Sequence, residues 1–309
     1  MAAKMATRQA YGNFLKELAV TNKNAVVMDA DLSGSTMTKE FKAVAPERFF
    51  NAGIAEQNLY AMAAGLAQSG KVVFASTFAM FAAGRAFEII RNSIAYTNAN
   101  VKVCATHAGL TVGEDGASHQ VVEDIALMRS IPGMVVVNPA DGASAMALLK
   151  KVSEMYGPAY VRLGRAAVEP IYEDDIEVEV GKGLLVRDGK DATIIATGIM
   201  VGEALKAADM LKEEGIEVRV IDIHTIKPLD EEIIVKAAEE TGAIVTAEEH
   251  TVIGGLGSAV AEVLAQKCPT KMKIVGVQDT FGESGKPGEL LAKYGLTAED
   301  LVKAVKGLK

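Results

Sequence analysis

Short apolar runs rich in valine, isoleucine and alanine alternate along this chain with longer segments of helical period. This alternation is typical of a parallel β-sheet with helices on both faces. We therefore predict an α/β fold with two doubly wound sheets. The strands predicted in the first half are Ala25–Met28, Val72–Ser76, Lys102–Ala105, Met134–Asn138 and Ala159–Arg162. The helices predicted there are Met5–Thr21, Glu56–Gln68 and Ala140–Met155.

The pattern changes at residues 167–182, where many carboxylates stand among alternating apolar residues and a proline. We interpret this segment as a linker between a domain at residues 1–166 and a smaller domain at residues 183–309. The strands predicted in the second domain are Ala192–Ala196, Glu217–Asp222, Ala243–Ala247 and Lys273–Val277. The helices predicted there are Gly202–Gly215, Leu229–Glu240 and Gly255–Gln266.

Charge and hydropathy argue against several classes of function. The 309 residues carry a net charge of −8 and no basic run, so nucleic acid is not expected as a partner. No apolar run reaches the roughly 18 residues that cross a bilayer, and the first residues lack the apolar core of a secretory signal. We therefore expect a cytoplasmic protein without a membrane partner. The two cysteines, Cys104 and Cys268, are too far apart in sequence to indicate a disulfide framework or a thiolate metal site.

Glu56 begins an otherwise small and apolar helical segment. A carboxylate at a helix N-terminus is stabilised by about 0.3–1 kcal/mol through the helix dipole, which is one explanation for its position. The other is a carboxyl group directed into a buried cofactor site, where apolar surroundings favour the protonated form at neutral pH. The residues alone favour neither explanation.

The segment Thr106–Gln120 places His107 and His119 on either side of a glycine-broken acidic loop, directly after a predicted strand. Open α/β sheets bind ligands at the carboxyl ends of their strands. The histidines, together with Glu114 and Asp115, therefore favour a polar substrate site over a structural role. A metal site is less favoured, because no histidine pair has the helical spacing that a metal site on a helix needs.

Two further segments have a structural and a functional explanation. Phe78 and Phe81 follow another predicted strand and are either core residues or a stacking platform for a flat heterocycle. The glycine-rich turn Gly254–Ser258 could present N–H groups to an anion, but close helix packing is the favoured interpretation. His250, next to two glutamates, is interpreted as a paired surface or interface histidine.

Taken together, these segments resemble the C-terminal half of a transketolase, and the resemblance covers nearly the whole chain. The segments that carry it are ATR at Ala6–Arg8, DADLSGST at Asp29–Thr36, RFFNAGIAEQN at Arg48–Asn58, STFAMF at Ser76–Phe81, THAGLTVGEDGASHQ at Thr106–Gln120, NPAD at Asn138–Asp141 and the arginine of AYVRLGR at Arg165. The resemblance implies a pyrimidine-binding domain followed by a transketolase C-terminal domain in a thiamine diphosphate enzyme.

The family's diphosphate-binding signature, a Gly-Asp-Gly followed by asparagines, has no counterpart in these residues. A diphosphate needs a divalent cation with oxygen ligands to offset its charge. The resemblance therefore implies a split transketolase whose N-terminal subunit, a separate polypeptide, supplies the ligands for Mg²⁺ or Ca²⁺, while this chain holds no metal. Because the family's sites lie between subunits, it also implies an α2β2 assembly.

The resemblance also implies roles for individual residues. Glu56 corresponds to the glutamate that bonds the aminopyrimidine ring, and Asp31, Phe78 and Phe81 to residues around that ring. His107, Asp115 and His119 correspond to contacts with sugar hydroxyls, and the two histidines also to proton-transfer groups. Arg8, Ser35 and Arg165 correspond to a phosphate clamp. The implied reaction moves a two-carbon ketol unit from a ketose phosphate, such as xylulose 5-phosphate, to an aldose phosphate, such as ribose 5-phosphate.

Two positions depart from the family pattern, and three alternatives stay open. Gly84 stands where many relatives have a tyrosine, and Ala108 replaces an aspartate that commonly follows the histidine. A 1-deoxyxylulose-5-phosphate synthase is similar across His224–Leu229, and a 2-oxo acid dehydrogenase β subunit has a similar chain size. A non-catalytic dimerisation or regulatory homologue is the third alternative. The phosphate clamp and the loop histidines favour the transketolase.

Overall fold

The computed structural model describes residues 3–308, which form two mostly parallel sheets flanked by helices. The strands are β1 Ala25–Asp29, β2 Phe49–Asn51, β3 Val72–Phe78, β4 Val101–Thr106, β5 Val135–Val137, β6 Ala159–Arg162, β7 Leu184–Arg187, β8 Ala192–Ala196, β9 Val218–Asp222, β10 Thr225–Lys227, β11 Ala243–Thr251 and β12 Lys271–Val277. The helices are α1 Thr7–Thr21, α2 Ser33–Thr36, α3 Lys39–Lys42, α4 Glu56–Gln68, α5 Phe87–Ile89, α6 Asp124–Arg129, α7 Gly142–Glu154, α8 Met200–Glu213, α9 Glu231–Thr241, α10 Leu256–Lys267, α11 Pro287–Lys293 and α12 Ala298–Lys306. Two π-helical turns, Phe81–Arg85 and Ile90–Ala95, flank α5, and two 3₁₀ turns lie at Pro46–Arg48 and Leu110–Val112.

The first sheet has seven strands in the order β10-β5-β6-β4-β3-β1-β2, all parallel except β10. Alternate side chains of its central strands enter two different cores. Val73 and Val103 lie in one apolar cluster, whereas Phe74 and Cys104 lie in the other. Strands buried on both faces read as continuous apolar runs, which explains why they are recognisable in the sequence. The predicted α/β fold with two doubly wound sheets is confirmed.

The second sheet has five strands in the order β12-β11-β8-β9-β7, with β7 antiparallel. One of its faces has its own core, to which Ile194 and Val220 belong. Its other face contributes Ile195, Ile221 and Ile244 to the cluster that also fills one face of the first sheet. The two halves therefore share one continuous apolar core.

Strand β10 connects the halves further, because it belongs to the second half of the sequence but pairs with β5 of the first sheet. The apolar pattern does not predict the strands β2, β7 and β10 or the helices α2, α3, α5, α6, α11 and α12. These three strands have only three or four residues each, so their apolar patterns are too short to be distinctive. The other strand and helix predictions agree with the structure to within a few residues.

The segment at residues 167–182 packs on the protein through one aspartate. Asp141 Oδ1 accepts the Ser144 N–H at 2.8 Å and caps α7, while its Oδ2 accepts the N–H groups of Ile171 and Tyr172 at 2.7 and 2.9 Å. One carboxylate therefore starts a helix and fixes the segment that leads to the second sheet. Within residues 3–308, no helix is long and apolar enough to span a bilayer.

Candidate active site

The predicted site residues lie at the carboxyl edge of the first sheet or in the segments that lead from it. Phe78 ends β3, His107 follows β4, and Arg165 lies just beyond β6. Asp31 follows β1, and Arg8 lies in the first turn of α1. This edge is where open parallel sheets bind ligands. We call residues 106–120, which carry both loop histidines, the histidine loop.

The aromatic residues and the loop histidines form one cluster. The rings of Phe78 and His107 stack with centroids 3.9 Å apart, and Phe78 also stacks on Phe81 at 6.0 Å. His119 meets the Phe81 ring edge-on at 5.5 Å. Phe78 is buried and Phe81 half-buried. The structure thus brings together four residues that the sequence placed on two separate strand ends.

His107 is held in an unusual environment. Its backbone has φ +59°, in the left-handed region, and its Nδ1 lies 2.9 Å from the Thr106 hydroxyl. Burial lowers its pKa to about 3, and the positive charges of Arg8 and Arg165 act in the same direction. The imidazole is therefore neutral at neutral pH, with one nitrogen able to donate and the other able to accept a hydrogen bond.

Arg8 and Arg165 form a cationic pair beside this imidazole. Burial and the charge of Arg165 lower the pKa of Arg8. Arg8 Nη1 donates to the Ser35 carbonyl at 2.8 Å, but its Nε is buried without a partner. Two guanidiniums and an unpaired N–H donor at a strand edge form an arrangement that suits an anion.

Acidic side chains of the histidine loop partly neutralise Arg165. Its Nη1 lies 3.3 Å from Glu114 and 3.9 Å from Asp115, and it also donates to the Val112 carbonyl. The family resemblance implies a contact between Asp115 and a sugar hydroxyl, and the ion pair with Arg165 is not predicted by the sequence. Both carboxylates are exposed, so the ion pair is solvent-screened.

Asp31 lies in a loop that a buried neighbour shapes. Asp29 accepts hydrogen bonds from the hydroxyls of Thr36 and Thr38 at 2.6 and 3.0 Å, and burial raises its pKa. These bonds fix the turn that holds Asp31 at φ +63°. The exposed Asp31 carboxylate accepts a hydrogen bond from Asn51 Nδ2 at 3.1 Å.

Glu56 begins α4, as predicted, and its side chain is 4% exposed. Its Oε2 is buried without a hydrogen-bond partner, although Arg85 Nη1 lies 3.6 Å away. Arg85 is in the π-helical turn that starts at Phe81, and this turn packs against α4. The surroundings of Glu56 are therefore less apolar than the sequence indicated, because the arginine comes from a helical turn that was not predicted.

The turn at Gly254–Ser258 proves to bind an anion that belongs to the chain itself. The N–H groups of Leu256 and Gly257 each donate to the carboxylate of Glu248 at 2.7 Å. His250 is fully buried and its Nε2 accepts the Ala126 N–H at 3.3 Å. His250 is thus an interface histidine between the two halves, and the surface alternative is wrong.

Three buried residues in or next to the histidine loop are not marked as site candidates by the sequence: Gln120, Arg162 and Glu249. Burial raises the pKa of Glu249 to about 7, against the opposing effect of Arg162. A charged residue within an otherwise apolar strand, such as Arg162 in β6, is a sequence pattern that indicates a buried, paired charge. Among residues 3–308, no group of three or more histidine, cysteine, aspartate or glutamate side chains could hold a metal ion.

Comparisons with known proteins agree in describing the two halves. Residues 3–170 match the family described as transketolase, pyrimidine binding domain, and residues 181–301 match transketolase, C-terminal domain. The putative transketolase C-terminal section of Methanocaldococcus jannaschii is 54% identical over 301 residues, which cover 96% of this chain and 94% of that protein. A 6-deoxy-6-sulfo-D-fructose transketolase subunit of a Clostridium species is 43% identical, with 96% and 92% covered.

A solved structure described as a split gene transketolase, inactive beta4 tetramer, has the same fold. Its TM-score is 0.91 at 56% identity, and the match covers 99% of this chain and 98% of that one.

Proposed function

The chain belongs to the transketolase family, and we propose that it is the β-type subunit of a split transketolase that depends on thiamine diphosphate. In this proposal the complete enzyme moves a two-carbon ketol unit from a ketose phosphate, such as xylulose 5-phosphate, to an aldose phosphate, such as ribose 5-phosphate. The observation that carries the proposal is the pair of arginines next to a neutral, buried histidine at the carboxyl edge of the first sheet.

The phosphate group of the sugar would bind between Arg8 and Arg165. The unpaired Nε of Arg8 supplies a donor, and the mutual repulsion of the two guanidiniums would be relieved by an anion. Ser35, whose carbonyl already fixes Arg8, would add its hydroxyl to the clamp. This arrangement favours a sugar phosphate over a free sugar, because a free sugar offers no charge to the arginines.

The histidine loop would handle the hydroxyl groups of the sugar. A neutral His107 can accept a proton from one hydroxyl, and His119, half-buried at the edge of Phe81, can donate or accept at a second. Asp115 would contact a further hydroxyl once a phosphate competes for Arg165. Stacking on Phe78 fixes the plane of the His107 ring and so the direction of its proton transfers.

The residues near α4 fit the pyrimidine ring of thiamine diphosphate. The orphaned Glu56 Oε2 offers a hydrogen-bond partner for a ring nitrogen, and Phe78 and Phe81 offer apolar ring faces. The bound cofactor would supply the stabilised carbanion on which ketol transfer depends. Glu56 would hold a proton at that nitrogen, and Asp31 would border the same ring.

The partner subunit would cover the surface beside Glu56. Ile54 is 79% exposed, and Phe50 and Met62 are also exposed although apolar. These residues flank Glu56 in the sequence, and exposed apolar side chains are typical of protein interfaces. We propose that an N-terminal transketolase subunit binds here, in an α2β2 assembly, and brings the ligands for Mg²⁺ or Ca²⁺.

The similarity to a 1-deoxyxylulose-5-phosphate synthase across His224–Leu229 has a structural explanation. Residues Thr225–Lys227 form β10, and the Lys227 ammonium donates to the carbonyls of Arg129 and Ile131 at 2.9 and 2.6 Å. His224 is buried beside Thr225. These residues hold the two halves together, so their pattern does not favour a different reaction.

Rates measured with the reconstituted complex test the proposal. The chain would be co-expressed with the polypeptide that carries the missing metal-diphosphate motif, and assayed with xylulose 5-phosphate plus ribose 5-phosphate. We expect ketol transfer in the complex, and neither transfer nor tight thiamine diphosphate binding by this chain alone. Activity only with pyruvate plus glyceraldehyde 3-phosphate would overturn the proposed reaction, and full activity without a partner would overturn the split subunit.

A further inference from the structure

At two positions the backbone of the histidine loop lies so close to the second half of the chain that there is no room for a side chain. A Cβ at Gly109 would overlap the carboxylate of Glu249, and a Cβ at Gly116 would lie 2.5 Å from Ser284 Oγ. Both glycines also have positive φ, +81° and +74°. The glycines therefore serve two purposes, the turn itself and its contact with the C-terminal domain.

Glu249 makes the first polar contact across this interface. Its Oε1 accepts the Thr111 N–H at 2.6 Å, and its own carbonyl accepts from Arg162 Nη2 at 3.0 Å. Arg162 in turn pairs with Asp124 at 2.8 Å, so the charged groups around Glu249 are one arginine and one aspartate. The carboxylate is buried, and a buried charge is costly unless it is hydrogen-bonded.

Gln120 makes the second contact, at the other end of the loop. Its Nε2 lies within hydrogen-bond distance of three carbonyl oxygens, those of Leu110 at 3.1 Å, Gly113 at 3.2 Å and Glu283 at 2.9 Å. The first two carbonyls belong to the loop and the third to the C-terminal domain. One buried amide thus closes the loop on itself and fixes it to the second half.

From these contacts we infer that Glu249 is a positioning residue, through which the C-terminal domain sets the geometry of the histidine loop. Its carboxylate accepts the Thr111 N–H and occupies the position that a Cβ at Gly109 would fill. It touches no reacting atom. The inference rests on the proposed function in that the loop is taken to bind the sugar. It gives the C-terminal domain a part in ketol transfer although the catalytic side chains lie in the first half.

Glu248 provides a matched control, because it is an adjacent glutamate of the same strand and is equally buried. Its carboxylate binds the N-terminus of α10 within its own half and makes no hydrogen bond to the described loop residues. Loss of either carboxylate leaves buried N–H groups without an acceptor. A general loss of stability should therefore appear in Glu249→Ala and Glu248→Ala alike, whereas a change of the histidine loop should appear only in Glu249→Ala.

Hydrogen exchange on the full, isolated chain tests the inference without any need for activity. In Glu249→Ala we expect the amides of residues 109–116 to exchange about tenfold faster or more, because a buried N–H loses its acceptor. Glu249→Gln, which retains an acceptor oxygen, should stay near the wild type. Glu248→Ala should speed exchange around residues 255–260, where the Leu256 and Gly257 N–H groups lose their acceptor, and should leave exchange of the histidine loop unchanged. If Glu249→Ala does not fold, Glu249→Asp, which withdraws the carboxylate by one methylene, replaces it with the same expected result.

Kinetics of the complete complex give the second readout. Glu249→Ala should raise the KM for the ketose phosphate about tenfold and lower kcat less, because the sugar-binding side chains are displaced. Glu249→Gln should restore KM to near the wild-type value. Unchanged loop exchange in Glu249→Ala, or an equal rise of KM in Glu248→Ala, would overturn the inference. If the wild-type complex moves no ketol unit, the proposed function fails, whereas the exchange measurement still decides the role of Glu249.

Discussion

The ring of Phe78 lies flat against the imidazole of His107, with centroids 3.9 Å apart and planes inclined by 27°. This contact removes water from one face of the histidine. Burial is the largest of the effects that lower the pKa of His107 to about 3, and the neighbouring arginines add to it. An aromatic side chain at the end of one strand therefore contributes to the burial that keeps a histidine at the end of the next strand neutral.

This relationship predicts how stability changes with pH. Because the pKa of His107 is lower in the folded chain than the 6.5 of an unperturbed histidine, the unfolded chain binds more protons between these two values. The stabilisation is complete above pH 6.5 and is lost as the pH falls towards 3. Acidification from pH 7 to 4 should thus cost the wild type on the order of 1–3 kcal/mol more than His107→Asn. Urea unfolding at both pH values measures this, and an equal loss in the two proteins would contradict it.

Inorganic phosphate should raise the pKa of His107. A bound anion between Arg8 and Arg165 offsets the positive charges that disfavour the imidazolium. The measurement is an NMR titration of the four histidines with and without phosphate. His224 is the internal control. It is buried next to β10 and burial alone lowers its pKa, so phosphate should leave that pKa unchanged. A pKa of His107 that is indifferent to phosphate would argue against an anion site at the arginines.

Removal of either clamp arginine should weaken binding of the phosphorylated substrate. We expect Arg8→Ala and Arg165→Ala each to raise the KM for the ketose phosphate about 10- to 100-fold, because each removes charge-assisted hydrogen bonds. Steady-state kinetics of the complex measure the effect. Arg187→Ala is the control, because it also removes one positive charge, but Arg187 pairs with Asp209 in the C-terminal domain. An equal rise of KM in Arg187→Ala would mean that net charge, not the clamp, is responsible.

Glu56→Gln should leave assembly intact and lower turnover severely, by about 100-fold or more, because the amide cannot exchange a proton as a carboxyl group does. Size-exclusion chromatography with the partner subunit reports assembly, and kcat reports the chemistry. Glu88→Gln makes the same change at an exposed residue of α5 that bonds Asn92, and it should be silent. Unchanged turnover in Glu56→Gln would remove Glu56 from the mechanism.

Replacement by alanine should have opposite effects on stability at Gly255 and at Gly65. A Cβ at Gly255 would lie 2.6 Å from His250 Nδ1 and would also overlap the carboxylate of Glu248, so Gly255→Ala should destabilise the chain by about 1–3 kcal/mol. Gly65 lies within α4 with open space around its Cα, so Gly65→Ala should stabilise it by about 0.5–1 kcal/mol. Urea denaturation of the isolated chain at one protein concentration tests both. Equal effects would show that the turn at Gly255 is not closely packed.

Much of the fold follows from the sequence because parallel strands buried on both faces leave continuous apolar runs. The strand at Ala159–Arg162 and the helix at Glu56–Gln68 have the predicted bounds. The short strand Thr225–Lys227 could not be recognised in this way. Its place in the first sheet depends on a pairing with β5 nearly 90 residues earlier, which no local pattern records.

The chain's own residues determined the fold class, the glutamate at the start of α4 and the loop with two histidines, since each leaves a local mark in composition or spacing. Only the tertiary structure decided how these groups act on one another. It placed Phe78 on His107, set Arg8 beside Arg165 and inserted Glu249 beneath the histidine loop. Burial and charge at a site are sums over residues that are distant in sequence, so they exist only once the chain has folded.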